Sequence, residues 1–210
     1  MPVAGRFITL EGGEGAGKST LARALADALE ARGHAVDVTR EPGGTENAEQ
    51  IRSLLVSGEP DRWSSLSEAL LLYAARVDHL DRRIRPALNS DTWVICDRFS
   101  DSTRAYQGAA GRLDRDRLNR LHQLALDGFE PDLTLILDLD PAIGMERTRQ
   151  RGEDATRFEK QDLSFHAALR EGFLDIAAAA ADRCAVLDAT QPPQELAQAA
   201  LAVIDSRLGS

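Results

Sequence analysis

The sequence predicts an α/β fold in which helices cover both faces of a parallel β-sheet. Short apolar runs, partly β-branched as strands prefer, recur along the chain at 6–10, 35–39, 92–96, 133–137 and 184–188. Longer stretches with a helical spacing of apolar residues separate these runs. This alternation is typical of parallel sheets, because each crossover between parallel strands needs a connection long enough to hold a helix.

The helical stretches are rich in Ala and Leu. The clearest one follows the first apolar run, where STLARALADALEARG ends at Gly33, a residue that commonly stops a helix. The other predicted helices span about 65–88, 114–127, 141–151, 160–182 and 193–208. Ligands bind at the carboxyl ends of the strands in such sheets, so we expect the chemistry just after residues 10, 39, 96 and 137.

Length, composition and charge restrict the class of protein. The 210 residues, 43% of them apolar, fit one domain over 1–210. The 34 acidic side chains outnumber the 25 basic ones, and the net charge of −9 argues against binding to nucleic acid or to an anionic membrane. No run approaches the roughly 20 apolar residues of a membrane span, and the N-terminus lacks a signal-peptide pattern, so we expect a cytoplasmic protein. Cys96 and Cys184 lie in apolar runs and are predicted to be reduced core residues.

A phosphate-binding loop follows the first apolar run. Within EGGEGAGKST the pattern G-x-x-x-x-G-K-[ST] is matched between a predicted strand and a predicted helix, the context that the motif requires. Its glycines let backbone N–H groups surround a phosphate, and the helix adds the positive end of its dipole. We expect Lys18 to reach the β- and γ-phosphates of ATP and Ser19 to bind Mg²⁺. The predicted ATP-binding residues are Gly12, Gly13, Glu14, Gly15, Ala16, Gly17, Lys18, Ser19 and Thr20.

Asp97 is a second candidate metal ligand. It ends the apolar run in WVICDRF and should reach the same edge of the sheet as the phosphate loop. A carboxylate there can hold Mg²⁺ through water. An Asp after a strand is also a common turn residue, so this prediction depends on its pairing with the loop.

A phosphate loop alone fits a small-molecule kinase, a GTPase-like switch or an ATPase that drives a partner. A switch would need a guanine-reading Asn-Lys-x-Asp stretch, which the sequence lacks. Motor ATPases usually carry partner-binding domains, for which 210 residues leave little room. A kinase needs an acceptor pocket and a closing lid, because water must be kept from the transferred group.

Five segments occur in an order that resembles bacterial thymidylate kinases. They are EGGEGAGKST, TREPGGT (39–45), LLLYAARVDH (70–79), DRFSDSTRAYQG (97–108) and RTRQRGEDATR (147–157). The resemblance covers essentially the whole chain, and REPGGT followed by DR-x-x-x-S-T-x-A-Y-Q is far more specific than the phosphate loop. It implies a P-loop NTPase fold of the nucleoside monophosphate kinase kind, with a five-stranded parallel sheet, and usually a homodimer. It also implies transfer of the γ-phosphoryl group of ATP to dTMP with Mg²⁺, giving dTDP and ADP.

The resemblance further implies which residues bind dTMP. Arg76 and Arg98 resemble the arginines that bind the dTMP phosphate and the edge of the base, and Glu14 resembles the carboxylate that accepts from the 3′-hydroxyl. Glu41 would lie near the metal and the phosphate, and Tyr106 would fill the space that a 2′-hydroxyl needs. The predicted dTMP-binding residues are Glu14, Arg40, Glu41, Pro42, Leu72, Arg76, Arg98, Ser102, Thr103, Tyr106 and Gln107.

Simpler interpretations remain open for several of these residues. Arg76 could form a surface ion pair with Asp78 or Asp81 on its own helix, and Tyr106 could pack in the core. Many family members place Phe, which stacks on thymine, at the position of Leu72. Either Tyr73 replaces that stacking here or edge contacts hold the base.

Four arginines lie between 147 and 157 in an acidic chain, and they are predicted to act in a lid at about 147–158. In a helix Arg147 and Arg151 share a face and Arg149 points elsewhere. Family members that lack an arginine in the phosphate loop, as this chain does with Gly15 after Glu14, carry arginines in the lid. The predicted catalytic residues are Lys18, Arg149, Arg151 and Arg157. A solvated helix face paired with neighbouring acidic residues is the simpler alternative.

Two other functions remain open at the level of sequence. The chain could be another nucleoside monophosphate kinase, which the base-contacting segment would distinguish. It could also be a non-catalytic nucleotide-binding regulator, although the presence of Lys18, Asp97 and the lid arginines argues against this.

Overall fold

A computed structural model of the protein describes residues 5–150 and 156–209. The strands of the sheet are β1 (Phe7–Gly12), β2 (Val36–Arg40), β3 (Trp93–Asp97), β4 (Leu133–Asp138) and β5 (Cys184–Asp188). The α-helices are α1 (Lys18–Ala31), α2 (Glu46–Val56), α3 (Ser65–His79), α4 (Arg85–Asn89), α5 (Ser100–Thr103), α6 (Arg115–Leu126), α7 (Pro141–Gln150), α8 (Leu163–Ala179) and α9 (Pro193–Leu208). Two π-helical turns, Leu80–Ile84 and Arg104–Ala110, continue α3 and α5.

The five strands form one parallel sheet in the order β2-β3-β1-β4-β5, which confirms the predicted fold class. Strand β1 is central, with Ile8 opposite Ile95 of β3 and Leu133 of β4. The segments that follow β1, β2 and β3 therefore leave the same edge of the sheet side by side. These segments are the phosphate loop, TREPGGT and the stretch that begins at Asp97.

The core lies on both faces of the sheet, because successive strand side chains point in opposite directions. Ile8 and Leu10 pack with α1 and α9 in one cluster, whereas Phe7 packs with α3 and α6 residues in another. A third cluster joins Tyr106 to Phe173 of α8. Strands β1, β3 and β4 are buried on both faces, which explains their continuous apolar runs.

The helix predicted over 65–88 is an α-helix, a π-helical turn and a second α-helix in succession, over Ser65–Asn89. The π turn widens the helix where His79 and Leu80 turn into the core. The predicted helices at 114–127 and 193–208 are confirmed within a residue, but α8 begins at Leu163 rather than at 160, after the cap residue Asp162. The helix predicted at 141–151 is described up to Gln150.

Helix α2 was not predicted. Most of its hydrophobic residues lie in its second half, and of the whole helix only Ala48 and Leu55 are buried. A local signal was available in Thr45, whose side chain accepts a hydrogen bond from the N–H of Ala48 as an N-cap. The helix follows the TREPGGT turn and packs on α3 above the carboxyl edge of the sheet.

Two further expectations about the chain are addressed by the structure. Cys96 and Cys184 are buried free thiols, as predicted. Within 5–150 and 156–209, no helix combines the length and the apolarity that crossing a bilayer requires.

Candidate active site

A cavity of about 540 Å³ opens at the carboxyl edge of the sheet. The residues that line it come from the phosphate loop, TREPGGT, α2, α3, the segment after β3 and the chain on either side of 151–155. The predicted dTMP-binding residues all line it, as do Asp97 and the loop from Glu14 to Thr20. The structure thus brings together side chains from Glu14 to Glu159, which are 145 positions apart in the sequence.

The phosphate loop has the backbone that its glycines were expected to permit. Gly12 and Gly17 have φ angles of 130° and 91°, in the region that side chains disfavour. A Cβ on Gly12 would lie 2.5 Å from the carbonyl oxygen of Leu137, so no larger residue fits there. Helix α1 then begins at Lys18, which leaves its first N–H groups directed toward the loop.

Lys18 is 6% exposed and lies inside the loop. Its Nζ donates to the carbonyl oxygens of Gly13 and Gly12, at 2.7 and 3.2 Å. Burial, and then repulsion by the Arg98 guanidinium, lower the pKa of Lys18 to about 8. The ammonium is therefore held ready for an anion but is poorly solvated, which favours its binding to phosphate.

Ser19 and Asp97 meet at the mouth of the loop. The Ser19 hydroxyl donates to Asp97 Oδ2 at 2.7 Å, although the two residues are 78 positions apart. This contact places the two predicted Mg²⁺ ligands side by side. Among the described residues no group of three or more His, Cys, Asp or Glu side chains forms a metal site. The pair fits an ion that takes its other ligands from nucleotide phosphates and water.

Glu14 is bound by two partners across the cavity. Tyr106 donates its hydroxyl to Glu14 Oε1 at 2.6 Å, and Arg98 donates from Nη2 to the same oxygen at 3.1 Å. Arg98 also binds the carbonyl oxygen of Gly12 and the hydroxyl of Ser102. Burial opposes ionisation of Glu14, but Arg98, Lys18 and the Tyr106 hydroxyl outweigh it and lower the Glu14 pKa to about 2.

The Glu14 contacts predict a measurable dependence of stability on pH. A folded pKa below the usual 4.5 stabilises the protein at neutral pH, and this contribution is lost as pH falls through about 2. From roughly pH 6 to pH 3 we expect the difference in unfolding free energy between wild type and Glu14→Gln to shrink by about 2 kcal/mol. Urea unfolding at both pH values measures it, with Glu30→Gln on the exposed face of α1 as the control. A constant difference would contradict the depressed pKa.

Arg76 lies beneath the cavity and is 1% exposed. Its Nε donates to Glu41 Oε2 at 2.7 Å, and its Nη2 donates to the carbonyl oxygen of Phe99 and the hydroxyl of Thr103, each at 3.0 Å. The third nitrogen, Nη1, is buried and has no hydrogen-bond partner among the described residues. A buried, unpaired guanidinium nitrogen in a cavity wall is suited to an anion.

The alternative that Arg76 forms a surface ion pair is wrong. Asp78 binds Thr45, Asn47 and Arg82 instead, and Asp81 pairs with Arg85. The side chain of Arg76 points in the opposite direction, between the rings of Tyr73 and Phe99, at 4.7 and 5.2 Å from their centroids. These cation–π contacts help to hold the charge in a buried position.

Glu41 has a different surrounding from the one expected. Its two oxygens contact Arg76 Nε and His79 Nδ1, at 2.7 and 3.1 Å, and it is 4% exposed. The other nitrogen of His79 lies 2.8 Å from the Thr39 hydroxyl. Both carboxylate oxygens are therefore engaged, and one of them orients Arg76.

The residues around the expected base resolve a question that the sequence left open. Leu72 lines the cavity and is 9% exposed, whereas Tyr73 is turned into the core, with its hydroxyl 3.2 Å from His122 Nδ1. Tyr73 therefore does not take the place of a stacking Phe. Tyr106 is both a core and a cavity residue, since its ring packs against Phe158, Phe165 and Phe173.

Comparison with known proteins decides the family. The family model described as thymidylate kinase matches residues 10–200. The chain belongs to the thymidylate kinase family. Curated thymidylate kinases from Caulobacter vibrioides and Jannaschia sp. are 53% and 49% identical to it, over 98% and 96% of this chain and 98% and 97% of theirs. The crystal structure of thymidylate kinase from Ehrlichia chaffeensis superposes with a TM-score of 0.79 at 33% identity, covering 96% of this chain and 99% of that one.

A thymidylate kinase is an ATP-dependent nucleoside monophosphate kinase, and the chain phosphorylates dTMP to dTDP. The phosphate loop and Arg76 both line the cavity. The function inferred from the five sequence segments is confirmed.

Of the predicted lid arginines, Arg149 and Arg157 lie among the described residues, and neither lines the cavity. Arg149 is an exposed residue whose side chain pairs with Glu146 at 3.0 Å, and Arg151 lies outside the described residues. Arg157 is 1% exposed, so it does not lie on a solvated surface. It is held by Glu68 and by the carbonyl oxygens of Leu55 and Pro60 rather than directed at the phosphate loop.

Arg147, which was not in the predicted set, is the described lid arginine that touches the phosphate loop. Its Nη1 lies 3.4 Å from the carbonyl oxygen of Gly15 and 3.2 Å from that of Ala189, and it lines the cavity. The helical spacing alone could not select it, because the rotation of α7 relative to the loop is set by tertiary packing.

That packing brings the backbones of the loop and the lid helix together. A Cβ on Gly15, which has a φ angle of 68°, would lie 2.2 Å from the carbonyl oxygen of Gly144 in α7. A Cβ on Gly144 would in turn lie 2.3 Å from the carbonyl oxygen of Glu14. Both positions therefore need glycine for this close approach.

Two further residues of the thymidylate kinase site were not predicted. Arg52 of α2 lines the cavity and donates to the carbonyl oxygen of Pro42. Glu11 is buried behind the loop and accepts from the Phe99 N–H at 2.8 Å and the Ser102 hydroxyl at 2.6 Å. Burial raises the pKa of Glu11 to about 7. An acidic residue at the end of β1 was visible in the sequence, but its partners were not.

Proposed function

We propose that one side of the cavity binds ATP and the other side binds dTMP. The phosphate loop and Lys18 bind the β- and γ-phosphates of ATP, and Arg76 binds the phosphate of dTMP. The observation that carries this assignment is the Nη1 atom of Arg76, a buried cationic donor in the cavity wall without a hydrogen-bond partner among the described residues. A phosphate oxygen would supply that partner.

Ser19 and Asp97 are the residues that would hold Mg²⁺. Their hydroxyl and carboxylate oxygens already meet, and hard oxygen ligands suit this ion. When bound, Mg²⁺ neutralises charge on the β- and γ-phosphates. No other described residue is needed as a direct ligand, because Mg²⁺ usually keeps several waters.

The remaining contacts fit a deoxynucleotide acceptor. Within the described part of the chain, the hydrogen bonds to the Glu14 side chain from Tyr106 and Arg98 both use Oε1, which leaves Oε2 to accept from a 3′-hydroxyl. The Tyr106 hydroxyl, which Glu14 holds in place, would fill the space that a 2′-hydroxyl needs. Arg98 and Gln107 line the wall where the edge of the base would lie, and Leu72 would contribute an apolar contact to its face.

The chemistry needs positioning and positive charge rather than a general base. The acceptor phosphate has a second pKa near 6 and is therefore mostly ionised at neutral pH. Two anions must still be brought together, so Lys18, Arg76 and Arg147 serve by lowering that repulsion and by orienting the reacting groups. This agrees with the absence of a Ser-His-Asp or Cys-His arrangement from the predicted site.

We expect Arg147→Ala to lower kcat by roughly 10- to 100-fold with little change in the Kd of dTMP, because the guanidinium lies beside the donor loop rather than the acceptor wall. Arg149→Ala, which removes an exposed arginine three residues from its Glu146 partner, should cost less. Steady-state kinetics on both variants measures this. A larger loss in Arg149→Ala would favour the assignment made from the sequence.

The quaternary state remains part of the proposal. We expect single-domain subunits in the cytoplasm, and the family resemblance implies that they form a homodimer. Leu66 and Leu70 on α3 and Leu124 on α6 are exposed apolar residues on two helices that pack together, which supports an interface there.

A panel of acceptors tests the proposed function. ADP release coupled to a detection enzyme is measured with ATP, Mg²⁺ and each of dTMP, dUMP, dCMP, dGMP and dAMP. We expect dTMP to be preferred and turnover to require the metal. Robust turnover with dGMP but not with dTMP would overturn the assignment of the acceptor wall.

A further inference from the structure

Glu68 is a buried carboxylate behind the wall that faces the acceptor. It lies in the first turn of α3 and is 8% exposed. Its Oε2 accepts a hydrogen bond from Nε2 of Gln107 at 2.7 Å, and its Oε1 forms an ion pair with Nη2 of Arg157 at 2.5 Å. One carboxylate thus joins a cavity residue to the segment that follows the lid.

This contact fixes the orientation of the Gln107 amide. An ion-paired carboxylate offers only acceptors, so the Gln107 NH₂ group must face it. The reversed amide would place two acceptor oxygens against each other. Gln107 is 2% exposed and lines the cavity, and its Oε1 is buried without a hydrogen-bond partner among the described residues. A hydrogen-bond donor on a bound ligand would therefore supply the partner that this carbonyl oxygen lacks.

Arg157 keeps the carboxylate in place. Its Nε and Nη1 donate to the carbonyl oxygens of Leu55 and Pro60, at 3.0 and 2.8 Å, and its own backbone N–H donates to Val56. Two guanidinium nitrogens and the backbone of Arg157 are thus anchored independently of Glu68. Rotation of Glu68 away from Gln107 would break the ion pair, so the amide has a rigid support.

We propose that Glu68 is a positioning residue that makes Gln107 a hydrogen-bond acceptor and so selects bases with an N–H donor at the ring position it faces. The proposal rests on the proposed function, since it assumes that the acceptor base lies against Gln107. Thymine offers such a donor at N3, whereas cytosine offers an acceptor at N3. A carbonyl oxygen held in this orientation accepts a hydrogen bond from N3 of thymine and repels N3 of cytosine.

The test compares dTMP with 5-methyl-dCMP, which has the same 5-methyl group and nearly the same size but an acceptor at N3. In Glu68→Gln the amide of residue 68 can donate or accept, so Gln107 is free to turn. We expect the Kd of 5-methyl-dCMP divided by the Kd of dTMP to fall on the order of tenfold, toward unity. The Kd of ATP, measured in the same titrations, should not change.

Two controls separate positioning from general damage. Glu59→Gln removes a 76% exposed carboxylate whose partner, Lys160, lies on the segment after Arg157, and it should leave the ratio unchanged. In a Gln107→Leu background, Glu68→Gln should have no further effect on the ratio, because the amide that it orients is gone. If Glu68→Gln alone folds poorly, the double variant with Arg157→Gln removes both charges and is expected to give the same fall in the ratio.

An unchanged ratio in Glu68→Gln, or an equal fall in the Gln107→Leu background, would overturn the proposal. Failure of the proposed function has a different signature, because the wild-type protein would then fail to prefer dTMP over 5-methyl-dCMP before any substitution is made.

Discussion

Replacing Arg76 with glutamine is expected to give the largest combined loss of stability and activity. The substitution leaves Glu41 buried beside a neutral amide, and loss of one partner from a buried ion pair costs about 3–5 kcal/mol of unfolding free energy. It also removes the cation assigned to the dTMP phosphate, so kcat/KM for dTMP should fall by at least on the order of 10²-fold. Urea unfolding and initial-rate kinetics measure the two effects.

The matched control is Arg82→Gln. Arg82 is 66% exposed and pairs with Asp78 on the surface, so we expect changes within about 0.5 kcal/mol and little effect on kinetics. Arg76→Lys separates the two roles, because an ammonium keeps the charge but cannot serve Glu41, Thr103 and a phosphate with one planar group. Native dTMP affinity in either Arg76 variant would remove this residue from the acceptor site.

The second large effect is expected from Lys18→Met. Loss of a cation placed to stabilise charge on the transferred group should lower kcat on the order of 10²- to 10³-fold. The fold should survive, since burial already makes the ammonium costly, as its lowered pKa of about 8 indicates. Single-turnover measurement with saturating ATP and dTMP isolates the chemical step.

The chain has only one other lysine, which provides the control. Lys160→Met removes a 40% exposed ammonium that pairs with Glu59, and it should leave single-turnover rates unchanged within about twofold. If Lys18→Met and Lys160→Met gave similar rates, Lys18 would have no part in phosphoryl transfer.

The sequence predicted those parts of the site that a short local segment of the chain identifies. The phosphate loop is one motif between a strand and a helix, and Asp97 follows from where a neighbouring parallel strand ends. Arg76 was assigned only through resemblance. Its real partners, Glu41 and Thr103, are 35 and 27 positions away, whereas the local sequence offered acidic neighbours that suggested a surface pair.

Arg157 shows why polar sequence does not imply exposure. The stretch before it, GEDAT, has few apolar residues. The arginine itself is nevertheless buried, because it forms an ion pair with α3 and donates to carbonyl oxygens in the last turn of α2 and in the α2–α3 connection. None of these partners lies near it in the chain. Spacing within a helix likewise gave the relative directions of Arg147 and Arg149, but not which of them meets the phosphate loop, because that depends on how α7 docks.

The backbone contact between Gly15 and Gly144 has a consequence for how this enzyme could be altered. A phosphate-loop arginine could not be introduced by the single substitution Gly15→Arg. Its Cβ would clash with the carbonyl oxygen of Gly144 in α7. The helix would have to withdraw, and Arg147 would withdraw with it. The two ways of supplying that charge therefore exclude each other on this scaffold, and a change from one to the other requires several coordinated substitutions.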